Sequence, residues 1–292
     1  MNNSSTLNVA VGILHPGDMG ISVAATLQNS GQTVYWIAEG RSPTTRTRAE
    51  KHGLIDARSL AHLVELCPVI VSVCPPHAAE AVADSVLSQG FTGLYIDANA
   101  ISPQRVQHMA QKLIEAGIKF VDGGIIGGPA WQTNTTWLYL SGETAAEAAN
   151  YFSAGPLATS VIGDTPGKAS ALKMCFAAYT KGTTALLCGI LATAEALNVR
   201  TELENQWSHN GSDFVAQTEK SVRQVTAKAW RFAGEMDEIA ATFAAAGLPD
   251  NFHLAAAEIY RRLADFKDAT DTPSLDAVLN ALLQRQPDQV SD

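Results

Sequence analysis

A short turn near the amino terminus has a residue spacing that is suited to binding a phosphate group. It follows the apolar segment Val9–Leu14 and consists of His15, Pro16, Gly17, Asp18, Met19 and Gly20. The residues after it carry apolar side chains at helical spacing. A strand, a turn and a helix in this order present backbone N–H groups at the positive end of the helix dipole. Gly17 leaves the peptide open to a ligand and Gly20 allows close packing of the helix on the strand, so we predict a pyrophosphate site.

The fingerprint of dinucleotide-binding turns is G-x-G-x-x-G, and in this sequence His15 stands at the first glycine position. The spacing of the other two glycines, Gly17 and Gly20, is intact. The run alone is also compatible with an ordinary turn between a strand and a helix. The element that follows distinguishes the two interpretations.

The segment Thr33–Glu39 is predicted to be a second strand that ends where the adenosine ribose lies in such sites. Binding of NAD would require a lone carboxylate there, but Glu39 is followed by Arg41, Ser42 and Arg46. Arginine offers forked donors to phosphate oxygens. We therefore predict NADP, with Arg41 and Ser42 at the 2′-phosphate and Arg46 as a stacking or secondary contact. Glu39 would have to point away, and a solvated turn is the alternative.

Two further segments are predicted to line the same cleft. The apolar strand Val69–Cys74 is followed by Pro75 and Pro76, and ligands bind beyond the carboxyl ends of parallel strands. We expect Cys74 and the two prolines to form a wall against the cofactor, although the prolines are also compatible with simple termination of the strand. The predicted strand Lys119–Asp122 runs into a glycine-rich loop, Gly123–Gly128, whose N–H groups could receive an anion.

Lys173 is the candidate for proton transfer. It lies near the start of a predicted long helix, Lys168–Asn198, among apolar neighbours that are a poor environment for an unpaired ammonium. Burial beside a cleft lowers the pKa of a lysine, and a proton donor that works near neutral pH needs such a pKa. The alternative is a side chain whose stem crosses apolar surface while its head reaches water.

Composition limits the class of protein. The chain has 292 residues, 46% of them hydrophobic and 17% charged, which suits about two folded domains, with disorder expected only at Met1–Leu7 and Pro287–Asp292. A formal net charge of −9 argues against a general role on nucleic acid or on an anionic membrane. We recognise no membrane span and no signal peptide, so a cytoplasmic location is expected. The four cysteines and seven histidines lack metal-ligand spacing, so no metal is expected.

The periodicities predict the architecture. Strands alternate with helices up to Thr165, and the β signal then stops. We predict a doubly wound, Rossmann-type α/β domain over residues 1–165 and an all-α domain over residues 166–292. The helices expected in the second domain are Lys168–Asn198, Glu202–Asn210, Ser212–Ala246, Asn251–Phe266 and Ser274–Gln284.

The order of these motifs resembles the β-hydroxyacid dehydrogenase and 6-phosphogluconate dehydrogenase superfamily. The resemblance rests on the runs G-D-M-G, E-G-R-S-P, C-P-V-I-V-S-V-C-P-P, D-A-N-A-I-S-P, V-D-G-G-I-I-G-G and G-K-A-S-A-L-K. It covers nearly the whole chain and is closest to an uncharacterised branch of the superfamily. The combination of runs is specific, although each run alone is weak.

The resemblance implies roles for individual residues. Lys173 matches the catalytic acid/base, and the loop that contains Asn99 borders the nicotinamide. The substrate carboxylate is expected at the glycine-rich loop, through Gly123, Gly124, Ile126 and Gly127. The helical domain of the family usually forms the dimer interface, and the apolar residues of the C-terminal helices also favour a homodimer.

Two positions depart from the family pattern. Ala177 stands where an asparagine four residues after the lysine orients the substrate, and Ile126 replaces a serine of the substrate loop. Both changes remove polar contacts, so they argue against a simple β-hydroxyacid such as 3-hydroxyisobutyrate as the substrate. Tyr179, Thr180 and Lys181 are candidates for replacement contacts one turn farther along the helix.

These observations predict an NADP-dependent oxidoreductase. It would transfer hydride between C4 of the nicotinamide and a carbonyl or hydroxyl carbon of a small, acidic metabolite, while Lys173 gives or takes the proton. Imine reduction is an alternative, because Ile126 and Ala177 make the site more apolar. A catalytically idle NADPH-binding sensor or assembly subunit is another.

Overall fold

The computed structural model describes residues 8–284. The disorder predicted for Met1–Leu7 and Pro287–Asp292 therefore lies outside the described residues. Two compact units make up the chain, the first ending at Met174 and the second beginning at Cys175. The domain boundary predicted between residues 165 and 166 stays a prediction. In the division into compact units, the first two turns of the long helix belong to the same unit as the sheet.

The first unit is built on one eight-stranded sheet with the order β3-β2-β1-β4-β5-β6-β7-β8. All neighbouring strands are parallel except β6 and β7, which pair antiparallel. The strands are β1 Ala10–Leu14, β2 Thr33–Trp36, β3 Ile55–Asp56, β4 Val69–Ser72, β5 Leu94–Asp97, β6 Lys119–Gly127, β7 Thr136–Ser141 and β8 Leu157–Gly163.

Helices cover both faces of this sheet. They are α1 Asp18–Asn29, α2 Pro43–Lys51, α3 Leu60–Leu66, α4 Ala79–Ser88, α5 Pro103–Glu115 and α6 Ala145–Asn150. One buried cluster packs α1 and α6 on the sheet, and a second cluster packs α3, α4 and α5 on the opposite face. A parallel sheet that is buried on both sides explains why the strands are continuous apolar runs. The predicted doubly wound Rossmann-type domain is confirmed.

Several elements differ from the sequence-based expectation. Strand β3 and helix α6 were not predicted, because both are short and lack a clear apolar period. Strand β4 ends at Ser72 rather than Cys74, and Pro76 begins a single 3₁₀ turn that leads into α4.

The second unit is helical, as predicted. The long helix α7, Lys168–Ala196, begins in the first unit, and the second unit adds α8 Arg200–Trp207, α9 Phe214–Gln224, α10 Thr226–Ala245, α11 Asn251–Arg262 and α12 Leu275–Leu283. The single helix predicted over Ser212–Ala246 is wrong, because α9 and α10 are separate helices that meet at Val225. The sequence of this segment contains neither a proline nor a glycine at the break.

Helix α7 is the one helix among residues 8–284 whose length and composition would allow it to cross a membrane. Two lysines lie in the interior of this helix. Lys181 forms an ion pair with buried Glu235. Lys173 packs against Gly124 of β6. A single apolar helix of this kind is weak evidence for a membrane span.

The carboxylate of Asp122 fixes the start of α7. Its oxygens accept hydrogen bonds from the backbone N–H groups of Gly167 (2.8 Å) and Ser170 (3.0 Å) and from the hydroxyls of Ser170 (2.6 Å) and Ser141 (3.0 Å). The hydroxyl of Ser141 in turn accepts the N–H of Ala169 at 3.1 Å. The first turn of a helix has N–H groups without intrahelical partners. A buried carboxylate at this point accepts their hydrogen bonds and interacts favourably with the positive end of the helix dipole.

Asp97 and Asp122 are paired residues on adjacent strands, and both are fully buried. Burial, and then the neighbouring Asp122 carboxylate, raise the pKa of Asp97 to about 7. Burial also raises the pKa of Asp122, although the hydrogen bonds from Ser170, Ser141 and Gly167 oppose this effect. The unfolded chain releases the same protons near pH 4. The folded protein therefore holds a proton on Asp97 at pH values where the unfolded chain does not.

We predict that Asp97→Asn flattens part of the pH dependence of stability. The folded pKa of Asp97 lies above its unfolded value, so this group favours the folded state fully below about pH 4, and that contribution is lost as the pH rises to about 7. One such group changes the free energy of unfolding by at most about 1.4 kcal/mol per pH unit. Urea unfolding of the wild type and the variant between pH 4 and 8 measures the difference. The exposed Asp84, changed to Asn, is the control; equal slopes for wild type and Asp97→Asn would contradict the prediction.

Candidate active site

A row of paired residues crosses four strands near one edge of the sheet. The register pairs Leu14 with Ser72, Ser72 with Asp97, and Asp97 with Asp122, so these residues form a row across β1, β4, β5 and β6. The residues that follow this row in the chain emerge at the carboxyl edge, where open parallel sheets bind their ligands. The predicted site residues His15, Cys74, Asn99, Gly123 and Gly124 all follow within two residues of it.

The turn after β1 has the backbone geometry of a dinucleotide-binding turn, which the incomplete glycine fingerprint alone did not establish. His15 adopts a left-handed backbone conformation with φ 69°, and its carbonyl oxygen accepts the N–H of Gly17 at 2.7 Å. A Cβ at Gly20 would lie 2.4 Å from that same oxygen, whereas a Cβ at Gly17 would meet nothing within 4 Å. Gly20 therefore serves close packing of α1 on β1, and Gly17 leaves open space at the helix N-terminus. Gly17 is also the N-cap, and no side chain caps this helix.

Two polar atoms beside this turn are buried without a hydrogen-bond partner among the described residues: Nδ1 of His15 and Nε of Arg41. Burial, and then the Arg41 guanidinium, lower the pKa of His15 to about 4. A hydrogen bond with the Leu14 backbone opposes this effect. Burial also lowers the pKa of Arg41, and Cys74 opposes that effect. Arg41 thus lies close to both His15 and Cys74. An unpartnered guanidinium nitrogen and an uncapped helix fit an anionic ligand such as a dinucleotide phosphate.

The loop after β2 is shaped by its own hydrogen bonds. The N–H of Arg41 bonds to the carbonyl of Ala38 at 3.2 Å, and Gly40 between them has φ 70°. Ser42 caps α2, since its hydroxyl accepts the N–H of Thr45 at 3.2 Å. Exposed Arg46 donates from Nε to the carbonyl of Arg41 at 3.2 Å. The loop therefore holds Arg41 in place, while Glu39 is exposed.

A carboxylate in the phosphate-binding turn would repel an anion, and the structure shows how this one is neutralised. Asp18, the first residue of α1, forms an ion pair with Arg48 of α2, with Nη2 and Oδ1 2.5 Å apart. Asp18 was predicted from the sequence, but its partner Arg48, thirty residues away in the chain, was not. No local pattern signals this pairing. Pro16 is buried and Met19 packs against the core, so both support the turn.

Asn99 joins the loops after β4 and β5. Its side-chain oxygen accepts the N–H of Cys74 at 2.6 Å, and its amide nitrogen donates to Ser72 Oγ at 3.1 Å and to Asp97 Oδ1. Both donors of the amide are used, and the residue is buried. Asn99 therefore positions the Cys74 loop, and a cofactor contact would have to come from its backbone. Burial raises the pKa of the Cys74 thiol to about 12, so the thiol stays protonated at neutral pH.

The predicted glycine-rich loop is a strand. Strand β6 runs on to Gly127 and pairs antiparallel with β7, from Asp122 opposite Ser141 to Gly127 opposite Thr136. Tight contacts account for the absent side chains. A Cβ at Gly123 would lie 3.0 Å from the carbonyl oxygen of Asp97, and a Cβ at Gly127 would lie 2.3 Å from the carbonyl oxygen of Thr135. Pairing with β7 leaves fewer free N–H groups than a loop would offer, and Ile126 is buried.

Lys173 is brought to the edge of the sheet by Gly124. A Cβ at Gly124 would lie 2.5 Å from the carbonyl oxygen of Ala169 and 3.2 Å from Cβ of Lys173. The start of α7 thus packs directly on the backbone of β6, two residues beyond Asp122 in the row of strand ends. Lys173 is half-buried. Sequence reasoning identified Lys173 but missed Asp122, Ser141 and Ser170, which fix the helix at this point.

Two other predicted residues lie in the second unit. Ala177 is buried and Tyr179 is the most exposed of the large apolar or aromatic side chains described, at 72%. Six residues along a helix correspond to a rotation of about 240°, so Tyr179 does not share the helix face of Lys173. The expected replacement contact from Tyr179 therefore has no support within α7. Among the described residues no group of three His, Cys, Asp or Glu side chains could hold a metal ion.

Comparison with known proteins agrees with this architecture. Residues 10–154 match the NAD binding domain of 6-phosphogluconate dehydrogenase, and residues 194–263 match a domain of unknown function, DUF1932. An uncharacterised 28.5 kDa protein of Methanothermus fervidus is 32% identical over 165 residues, which are 56% of this chain and 63% of the relative. The chain spans less than two thirds of the length of the curated relatives that it matches.

Solved structures extend the match to nearly the whole fold. A conserved protein of unknown function, structurally similar to 3-hydroxyacid dehydrogenases, is 31% identical with a TM-score of 0.63, covering 88% of this chain and 97% of its own. The 3-hydroxyisobutyrate dehydrogenase of Mycobacterium tuberculosis has a TM-score of 0.69 at 20% identity, covering 95% of this chain and 100% of its own. An imine reductase of Myxococcus stipitatus, with a TM-score of 0.55 at 18% identity, shares the fold alone and covers 95% of this chain and 100% of its own.

The match to the first of these structures covers 97% of that protein, and in the chain described here the NAD-binding match precedes the match to DUF1932. The named relatives with an assigned activity are oxidoreductases. The chain belongs to the 3-hydroxyacid dehydrogenase-like family, with a Rossmann NAD(P)-binding domain followed by a C-terminal helical domain.

Proposed function

We propose that this protein is an NADP-dependent oxidoreductase acting on a carbonyl or hydroxyl carbon of a small, acidic metabolite, with Lys173 as the general acid/base. The observation that carries the proposal is the packing of Lys173 on Gly124, beyond the row of strand ends that also leads to His15 and Cys74. A nicotinamide cofactor supplies or accepts the hydride when it is bound. The protein must then supply a proton donor at the same edge, and Lys173 is in that place.

The residues that would hold the cofactor have distinct tasks. The N-terminus of α1 at Gly17 offers backbone N–H groups to the pyrophosphate. Arg41 offers a forked, charged donor to the adenosine 2′-phosphate, with Ser42 and Arg46 shaping its loop. Asn99 holds the Cys74 loop in register as the wall of the cleft.

Lys173 would protonate the forming alkoxide in the reduction and remove the hydroxyl proton in the oxidation. Its nitrogen is the group that we propose for this exchange, because it can donate and accept a proton. The thiol of Cys74 is not suited to proton transfer at neutral pH, since burial raises its pKa to about 12. Asp122 would be a positioning residue, because its hydrogen bonds fix the first turn of α7 and thereby the place of Lys173.

Reduction of an imine is the second candidate. Ile126 lies near the end of β6 and is buried, so this position offers a substrate no polar group. An apolar lining favours a C=N substrate over a hydroxyacid that needs several hydrogen bonds. Turnover of NADPH with a panel of aldehydes, keto acids and cyclic imines separates the two candidates. Tight NADPH binding without turnover on any of them would favour the idle sensor instead.

We also propose a homodimer that forms through the helical unit. An apolar groove of about 580 Å³ lies on α7, α8 and α11, lined by residues that include Leu186, Leu197 and Phe252. These three side chains are exposed. Exposed apolar patches of this kind are typical of surfaces that are covered in the assembled protein.

NADPH is expected to bind more tightly than NADH. A charge-assisted hydrogen bond is worth roughly 1.5–3 kcal/mol, so one such contact from Arg41 gives about 10- to 150-fold discrimination. Arg41→Ala should remove most of this preference, and Arg46→Ala should remove less, because its Nε already bonds to the loop. Titration of each protein with both cofactors, followed by nicotinamide fluorescence, measures the ratio. Equal affinities in the wild type would contradict the assignment of NADP.

Lys173→Ala is expected to lower turnover by about 10²- to 10⁴-fold while NADPH affinity stays nearly intact, because a general acid/base contributes that much to the rate. Steady-state kinetics on the substrate found in the panel measures the change. Lys168→Ala is the matched control, since Lys168 is exposed on the same helix. Lys181→Ala is not a neutral control, because it would remove the ion pair between Lys181 and buried Glu235. Lys173→Arg should not restore turnover, and retention of most activity by Lys173→Ala would exclude the assigned role.

Light scattering is expected to give twice the monomer mass at micromolar concentration. Leu186→Glu places a charge in the apolar groove and should produce monomers. Leu248 is also exposed but does not line the groove, so Leu248→Glu should remain dimeric. A monomeric wild type, or dimers of Leu186→Glu as tight as those of the wild type, would contradict this assembly.

A further inference from the structure

A groove between helices α1 and α2 has the lining of a ligand site and takes no part in the proposed reaction. Its volume of about 670 Å³ is in the range of small-molecule pockets. Helix α1 contributes Asp18 and Ile21, and the loop between β6 and β7 contributes Pro129 and Trp131. The rest of the lining comes from α2 and the residues at its ends. All these elements belong to the first unit, so the groove lies within one compact body.

Helix α2 turns one face to the groove. The side chains on this face recur at helical spacing and are Thr44, Thr47, Arg48 and Lys51. The lining includes none of the residues proposed to bind the adenosine 2′-phosphate. The groove is therefore a site separate from the loop that is proposed to hold the cofactor.

Trp131 forms an aromatic wall of the groove. Its ring stacks on the imidazole of His52, at the end of α2, with ring centroids 5.2 Å apart and an angle of 24° between the planes. The loop that carries Trp131 is fixed on α1, because the N–H of Ala130 donates to Ser22 Oγ at 2.9 Å. Trp131 nevertheless keeps 49% of its surface exposed. A ligand ring can therefore stack on the part of the indole that His52 leaves free.

The groove carries positive charge, although the chain as a whole has a formal net charge of −9. Its one acid, Asp18, is neutralised by the ion pair with Arg48. Lys51 is exposed and has no ion-pair partner within the described part of the chain. Lys51 also precedes His52 directly, so this cation and the aromatic wall lie at the same end of the groove. An ammonium group next to an aromatic surface suits a ligand that combines an anion with a ring.

We propose that this groove binds a planar aromatic molecule that carries an anionic group, either a carboxylate or a phosphate. The ring stacks on Trp131 and covers the apolar surface of Ile21 and Pro129. The anionic group accepts hydrogen bonds from the ammonium of Lys51 and from the hydroxyl of Thr47, one helical turn before it. The site is distinct from the candidate active site, and its existence does not depend on the proposed cofactor.

The probe for the test is 2-naphthoate, with 2-naphthyl phosphate as the phosphate form and 2-naphthamide as the uncharged match. Fluorine NMR of protein labelled with 5-fluorotryptophan resolves the five tryptophans, and the signal that is missing in Trp131→Leu belongs to Trp131. This signal should shift in a saturable way with both anionic probes. The amide should bind about two- to five-fold more weakly, because it lacks the charge that pairs with exposed Lys51. Whichever anionic probe binds more tightly identifies the anionic group that the site prefers.

Two variants and two matched controls locate the bound probe. By isothermal titration, Trp131→Leu should weaken 2-naphthoate about three- to ten-fold and Lys51→Gln about two- to five-fold. Trp137→Leu and Lys168→Gln change exposed residues outside the groove and should keep the wild-type affinity. The melting temperature of each variant checks that its fold is intact. A Trp131 signal that does not shift, an amide that binds as tightly as the acid, or wild-type affinity in Trp131→Leu would overturn the inference.

Discussion

The buried carboxylate of Asp122 is the contact on which the arrangement at the sheet edge depends. It ends the row of paired residues at the carboxyl ends of four strands and accepts four hydrogen bonds, three of them from the first turn of α7. That turn carries Lys173 to the backbone of Gly124. Without the anion, the N–H groups of Gly167 and Ser170 would be buried and unsatisfied, and burying such groups is costly. One side chain thus joins the sheet to the helix that carries the candidate catalytic residue.

This arrangement has a cost, because Asp97 lies beside Asp122 on the next strand and both are removed from water. Two buried carboxylates at neighbouring positions do not both ionise easily, and the raised pKa of Asp97 reflects this. The hydrogen bonds from Asn99 to Asp97 and from Ser170 to Asp122 offset part of the penalty. The same hydrogen bonds set the loops after β4 and β5 and the start of α7. The polar groups that stabilise the two acids are therefore the ones that shape the cleft.

The fold was largely predictable from the sequence because its strongest elements carry strong local signals. The apolar strands of the parallel sheet and the long proline-free helix α7 have clear periods and ends. The failures have one physical cause, which is that tertiary contacts decided the outcome. Gly123 and Gly124 suggested a loop but lie in strand β6. They are glycines because neighbouring backbone approaches too closely for a side chain. The break at Val225 between α9 and α10 has no breaking residue in its sequence.

The candidate site divides along the same line. Residues with a chemical signature of their own, such as Lys173 and Arg41, were found from sequence. Those that act through a distant partner, Asp122 and Arg48, were not, since each lies about thirty residues or more from the group it serves. One signal was available for Asp122. The sequence before α7 offers no Ser, Thr, Asp or Asn directly at the N-cap, only Gly167, and an uncapped helix start in a buried region requires an acceptor from elsewhere in the fold.

The phosphate-binding turn shows why its sequence motif is weaker than its geometry. The three glycines of the fingerprint perform three separate tasks: a left-handed backbone, an open approach for the ligand, and close packing of helix on strand. Here Gly17 and Gly20 perform the second and third as glycines, and His15 performs the first with a side chain attached. A histidine can do so because the left-handed conformation is less unfavourable for this residue type than for most others. Only the third task, at Gly20, excludes every side chain by a collision with backbone.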